Sequence, residues 1–230
     1  MCLPPFSESG AVFLGDGPYN ISPGGTGTVV DLRSMLSYTP LVGNPVFPSD
    51  YFIGVQGIKV SQQDVPINKS LLSINSKGYG GTTVSLVHPY TTLETSIFKA
   101  VTTVFDKQLK NFSLPAKRVT PVAPFEFCYD PTTISSTRIG PVVPDIDLLL
   151  QSQKGYWRIA PTNSIVRANN AYCLGFLDGG NNPTTSIVIG GFQIEDNMLQ
   201  FDRAKNRLGF SSSLIYDRIR CSFFNFTSDN

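Results

Sequence analysis

Ser85 and His88 stand three residues apart in Val84-Ser85-Leu86-Val87-His88-Pro89, and their types could serve as a nucleophile and its general base. Such a pair needs a third group to orient the histidine, and many serine nucleophiles sit in a strained Gly-x-Ser-x-Gly elbow. Neither a carboxylate partner nor the elbow is identifiable here. Ser85 therefore reads as a buried, hydrogen-bonded polar residue and His88 as a loop residue before Pro89. The acidic pairs Asp145/Asp147 and Glu195/Asp196 have the residue types for glycosidic acid–base chemistry. Their settings read instead as solvated strand and loop positions. Cys2, Cys128, Cys173 and Cys221 are too widely spaced to close a zinc tetrahedron, and the chain has one histidine, so no metal and no cofactor is expected. The even cysteine count reads as two disulfides. Sequons at Asn20, Asn68, Asn111 and Asn225 point to the same oxidising, secretory route.

These groups have to be held by sheets. Twenty glycines, seventeen prolines and many Thr, Val, Ile and Phe among 230 residues favour strands and turns over helices. With 41% hydrophobic and 15% charged residues the chain can build an ordinary packed core. A net charge of +1 without a Lys/Arg run gives no basic face for nucleic acid. No apolar run reaches the ~18 residues of a membrane-spanning helix. The opening Met1-Cys2-Leu3-Pro4-Pro5 is not a signal peptide, so a secreted protein would take its targeting segment from elsewhere, as a fragment or a truncated gene product. Strands are expected over 12–14, 51–60, 82–86, 145–150, 156–159, 171–176, 185–189, 198–202 and 208–211. The apolar phase of 51–60 slips at Gly57, which predicts a bulge. Leu93, Ile97, Ala100, Val101 and Val104 form a helical stripe, with Thr91 and Glu94 spaced for a capping box at its start.

The stretch Ile187-Val188-Ile189-Gly190-Gly191-Phe192, then Met198-Leu199-Gln200-Phe201-Asp202 and Asn206-Arg207-Leu208-Gly209-Phe210, resembles the closing strands of pepsin-like aspartic proteases. Tyr38-Thr39-Pro40-Leu41, the run 51–60 and Phe125-Glu126-Phe127-Cys128-Tyr129-Asp130 follow the order of the plant branch. That branch includes xylanase inhibitors, xyloglucanase inhibitors, extracellular dermal glycoprotein and basic 7S globulin. The resemblance implies a mainly β, pepsin-like β-barrel lobe with one or two short helices. It divides the chain into 1–43, the end of an N-terminal lobe and the interlobe crossing; 44–214, the C-terminal lobe; and 215–230, a tail. The rest of the first lobe would precede Met1 as an intramolecular partner. Disulfides Cys128–Cys173 and Cys2–Cys221 follow from the same comparison.

In that family two carboxylates share one proton, and each lobe contributes one Asp in an Asp-(Ser/Thr)-Gly turn. The corresponding stretch here places Ser85 at the aspartate, Leu86 at the hydroxyl residue and Val87 at the glycine, and no Asp-Thr-Gly or Asp-Ser-Gly occurs in the chain. A hydroxyl that does not ionise near neutral pH cannot share the dyad's proton, and a β-branched residue fits poorly where glycine is needed. The expectation is a pseudoprotease rather than an enzyme.

The plant branch then implies a secreted, cell-wall glycoprotein that inhibits microbial xylanases or xyloglucanases in defence. The alternatives are a storage or wall glycoprotein of the basic 7S globulin type and a truncated protease relative. A glycosidase cleft presents two carboxylates, so an inserted arginine gains charge-assisted, bidentate bonds. Arg138, in the polar loop 130–141, and Arg218, in the tail 216–221, are the candidates for target binding, with His88 as a further contact.

Overall fold

The computed structural model describes residues 1–5, 8–23, 28–112, 115–151 and 155–224. Its spine is an eight-stranded sheet in the order Phe176–Asp178, Thr91–Leu93, Ile187–Ile189, Thr82–Val84, Phe52–Ile53, Ser37–Val42, Arg207–Phe210, Leu199–Asp202. Ile187–Ile189 threads between two strands that are near each other in sequence. It runs parallel to Thr82–Val84 and antiparallel to Thr91–Leu93, which gives this part of the sheet its psi shape. The sheet takes strands from both sides of Asn44, because Ser37–Val42 pairs with Arg207–Phe210 on one side and Phe52–Ile53 on the other.

Two four-stranded sheets close the lobe. One has the order Tyr156–Ile159, Ile146–Leu150, Val55–Val60, Gln63–Asp64; the other runs Ile165–Ala168, Ala171–Leu174, Cys128–Tyr129, Arg118–Val119. One continuous apolar core fills the space between them, joining Ile58, Leu148, Trp157, Ile187 and Phe210 with the inner face of the helix Thr95–Leu109. Trp157 is fully buried, stacks at 5.2 Å on Phe210 and donates its indole N–H to Asn197 Oδ1 at 3.2 Å. The Cys128–Cys173 bridge ties adjacent strands and Cys2–Cys221 ties the start of the chain to its tail. Each closes a long loop, worth about 4–5 kcal/mol in the loop-entropy account.

Several local expectations change. The apolar alternation at 12–14 forms no strand, and Val12 and Leu14 are exposed because no neighbouring strand pairs with them. The run 51–60 divides at Gly54 as the chain leaves one sheet for another. A register shift between Leu149 and Leu150 marks the bulge, which leaves Gln56 without a partner beside Gly57. Glu94 itself caps the long helix, accepting the N–H groups of Ser96 and Ile97 at 2.8 and 3.2 Å. Thr91 belongs to the sheet instead, so no capping box forms.

One member of each acidic pair is buried rather than solvated, while Asp145 and Glu195 are half-buried. Asp147 is 3% exposed and receives the Arg158 guanidinium on both oxygens, Nε at 2.7 Å and Nη2 at 2.8 Å. Arg158 also reaches Asp145 at 3.2 Å. Asp196 is 4% exposed and its carboxylate accepts the Cys221 N–H at 2.8 Å. Removing one partner of a buried pair leaves the other charge uncompensated, so Asp147→Ala should cost about 3 kcal/mol or more in urea unfolding. The double change Asp147→Leu with Arg158→Met should cost clearly less. Equal losses in the two proteins would contradict this account of the pair.

Candidate functional site

At the end of Thr82–Val84 the chain turns through Ser85–Leu86–Val87–His88 before entering Thr91–Leu93. The turn is clamped from below. Ser85 N–H donates to Ile189 O at 2.9 Å, while Gly191 and Phe192 N–H donate to His88 O and Pro89 O, each at 2.8 Å. Gly190 permits this packing: a β-carbon there would lie 2.3 Å from the Tyr90 carbonyl carbon. Gln193, 1% exposed, completes the knot. Its Oε1 accepts both the N–H and the hydroxyl of Thr91 at 2.8 Å, and its Nε2 donates to Asn163 O and Gly175 O at 3.1 and 2.8 Å.

The structure brings Ser85 and His88 together, with Oγ 3.0 Å from Nδ1. Ser85 is half-buried rather than buried, and its Oγ accepts the Val87 N–H at 3.2 Å, an ST-type turn that holds the loop locally. No carboxylate contacts His88 among the described residues, so the imidazole lacks the group that would orient it as a general base. Leu86 is 55% and Val87 88% exposed, so the turn presents apolar side chains to its surroundings.

The two candidate arginines lie on outer loops. Arg138 and Ile139 form the two-residue tip of the hairpin joining Ser136–Thr137 to Gly140–Pro141. Thr137 Oγ1 pins that tip by donating to Gly140 O at 3.0 Å, and Gly140 adopts φ +114° against Thr162. Arg138 is exposed and has no hydrogen-bond or ion-pair partner among the described residues. Arg218 is also exposed. It ends the short helical turn Leu214–Asp217 in the left-handed conformation, φ 60° and ψ 28°, which a side-chain-bearing residue rarely adopts.

The Asp145–Arg158–Asp147 cluster joins the two paired strands that follow the Arg138 hairpin in the chain. Arg158 is three residues before Pro161, where the short helix carrying Thr162 begins, and Asp145 follows the hairpin by four residues. Tyr216, 41% exposed, lies within electrostatic reach of the same cluster; the partial burial of its ring, and then the Asp145 carboxylate, push its phenol upward. Sequence reasoning missed this cluster because its members become neighbours only when two strands pair.

The sequons Asn20, Asn68 and Asn111 have exposed asparagines, and Asn225 lies outside the described residues. Among the described residues there is no cluster of His, Cys, Asp and Glu arranged for a metal ion, and no helix is long and apolar enough to cross a membrane.

Residues 50–212 match the family model described as xylanase inhibitor C-terminal. Along 99% of its length the chain is 50% identical to the "Probable aspartic proteinase GIP2" of Nicotiana benthamiana, of which it covers 53%. The crystal structure titled edgp superposes with a TM-score of 0.92 at 47% identity, over 99% of this chain and 57% of that one. Basic 7S globulin from soybean superposes at 0.75 and 31% identity, over 98% and 54% of the respective chains. The chain thus spans about half the length of these relatives.

Glu195 adjoins the clasp that holds the tail, since Asp196 also donates its N–H to Leu3 O and accepts the Leu214 N–H, both at 2.7 Å. Burial, and then the Asp196 carboxylate, push the Glu195 carboxyl up to about 7. A carboxyl raised on folding favours the protonated fold, so its ionisation removes stability as pH climbs from 4.5 to about 7. After solvent screening this is about 1 kcal/mol, or ~2–4 °C in Tm. Melting curves should show Glu195→Gln losing that part of the pH dependence. A mutant profile parallel to the wild type across the same window would show that Glu195 is not the group responsible.

Proposed function

Because the chain belongs to the xylanase inhibitor C-terminal family, we propose that it is a non-proteolytic recognition protein whose partner is a microbial glycoside hydrolase of the plant cell wall. The observation that carries this reading is Arg138: a guanidinium with no hydrogen-bond or ion-pair partner among the described residues, at the tip of a hairpin pinned by Thr137. Two planar donors in a fixed fork match the paired carboxylates of a glycosidase cleft, and desolvating the contact strengthens it. Arg218 is the second anchor; its left-handed backbone costs on the order of 1 kcal/mol or more, a kind of strain that gathers at binding sites. His88, on the exposed turn, is a further contact.

Loss of proteolysis is part of the proposal. Ser85 supplies a hydroxyl in place of a carboxylate, and the chain contains no Asp-Thr-Gly or Asp-Ser-Gly. Two disulfides and exposed sequon asparagines support a secreted, extracellular glycoprotein. The second reading, a storage glycoprotein, is favoured by the likeness to basic 7S globulin. A pull-down from fungal culture filtrate separates the two, since only the inhibitor reading expects a glycoside hydrolase on the resin.

In inhibition titrations against a microbial xyloglucanase, Arg138→Ala should weaken the protein tenfold or more, with its melting temperature unchanged. Unchanged inhibition would remove Arg138 from the interface. Acid-pH assays on denatured haemoglobin should show no pepstatin-sensitive cleavage, and cleavage that pepstatin abolishes would overturn the non-proteolytic reading.

A further inference from the structure

Gly54 stands where the chain passes from the eight-stranded sheet into Val55–Val60. Its φ is outside the left-handed region, and a β-carbon there would meet only Val42 Cγ2, at 3.8 Å. Gly43, across the same space, would meet nothing within 4 Å. Gly190 is required by packing; at Gly54 and Gly43 neither packing nor a left-handed backbone asks for glycine. A glycine of this kind in extended chain marks a place where something else comes close to the backbone. The N–H and C=O of Gly54 have no backbone hydrogen-bond partner among the described residues.

Both glycines line an open groove of about 580 Å³, a size suited to a small ligand. Among the described residues its lining carries no charged side chain. Gln56, Ser73, Asn75, Ser76 and Gln151 supply amides and hydroxyls, with Val42, Pro45 and Ile74 between them. Amides and hydroxyls both donate and accept, as sugar hydroxyls do. The walls are fixed in advance. Asn44, 3% exposed, donates to Gly78 O at 3.0 Å and accepts the Val46 and Phe47 N–H groups at 2.9 and 3.2 Å, so one loop is tied to the other. Asn75 Oδ1 accepts the Lys77 and Tyr79 N–H groups at 2.9 and 3.1 Å.

We propose that this groove binds a neutral, hydroxyl-rich ligand, an extended oligosaccharide laid against the Gly54 backbone. A polyanion finds no countercharge among the described lining residues. A peptide adding as a strand finds Phe52–Ile53 paired on both sides, and in Val55–Val60 only the first few residues are free on one side, because Gln63–Asp64 pairs with Lys59 and Val60 alone. The site shares no lining residue with the two arginine loops, so it stands or falls independently of the inhibitor reading.

Calorimetric titration of the 230-residue chain with cellohexaose, xylohexaose and chitohexaose tests it, with a neutral hexapeptide alongside. Saturable binding of at least one sugar is expected, weakened tenfold or more by Gly54→Phe, whose new side chain would project into the groove. Ser73→Tyr, at an exposed position, gives the same readout should Gly54→Phe fail to fold. Absence of saturable binding by all three sugars, binding that survives the folded variants, or tighter binding of the hexapeptide would each overturn the proposal.

Discussion

The carbon that Gly190 lacks would stand 2.3 Å from the Tyr90 carbonyl carbon and 2.8 Å from the Thr91 nitrogen. That close approach lets Ile187–Ile189 thread between Thr82–Val84 and Thr91–Leu93, and it places Gln193 where one side chain satisfies Thr91, Asn163 and Gly175 together. A buried network with every member paired is rigid, and here it determines where the turn at Ser85 emerges. This chain fills that turn with a hydroxyl bonded to a neighbouring imidazole and with two exposed apolar side chains.

The outer loops rest on a second constraint. Arg158 binds Asp147 with two parallel bonds and forms an ion pair with Asp145, holding together the strands that follow the Arg138 hairpin, and Tyr216 in the turn before Arg218 lies within its electrostatic reach. Desolvating such a cluster has a cost that only good geometry offsets, so its gain lies in fixing where the loops point as much as in net stability. The clasp of Asp196 and the Cys2–Cys221 bridge hold the tail from the other side. A loop backbone already held in place loses less conformational entropy on binding, which suits recognition by an arginine at its tip.

Much of the fold was legible because local pattern and final environment agree. The strand at 156–159 falls where alternation puts it, and the helical stripe from Leu93 continues into Thr95–Leu109. The residues at 12–14 have a strand-like pattern but no partner strand, so alternation misled. Asp147 and Asp196 looked solvated because a carboxylate's burial is decided by what pairs with it, and those partners lie 11 and 25 residues away in sequence. The Ser85–His88 contact was visible as a spacing, whereas the groove at Gly54 was not. Its walls come from five separate stretches of chain, and its main clue is a glycine that the fold itself does not require.

Recognition through the two arginine loops and binding at the Ser85 turn predict different footprints for a bound glycoside hydrolase. Amide hydrogen exchange, measured with and without a microbial xyloglucanase, reads that footprint directly. The account predicts slowed exchange over 136–141 and 214–221, with 82–86 unchanged. Protection confined to the Ser85 turn, with both arginine loops exchanging as in the free protein, would contradict it.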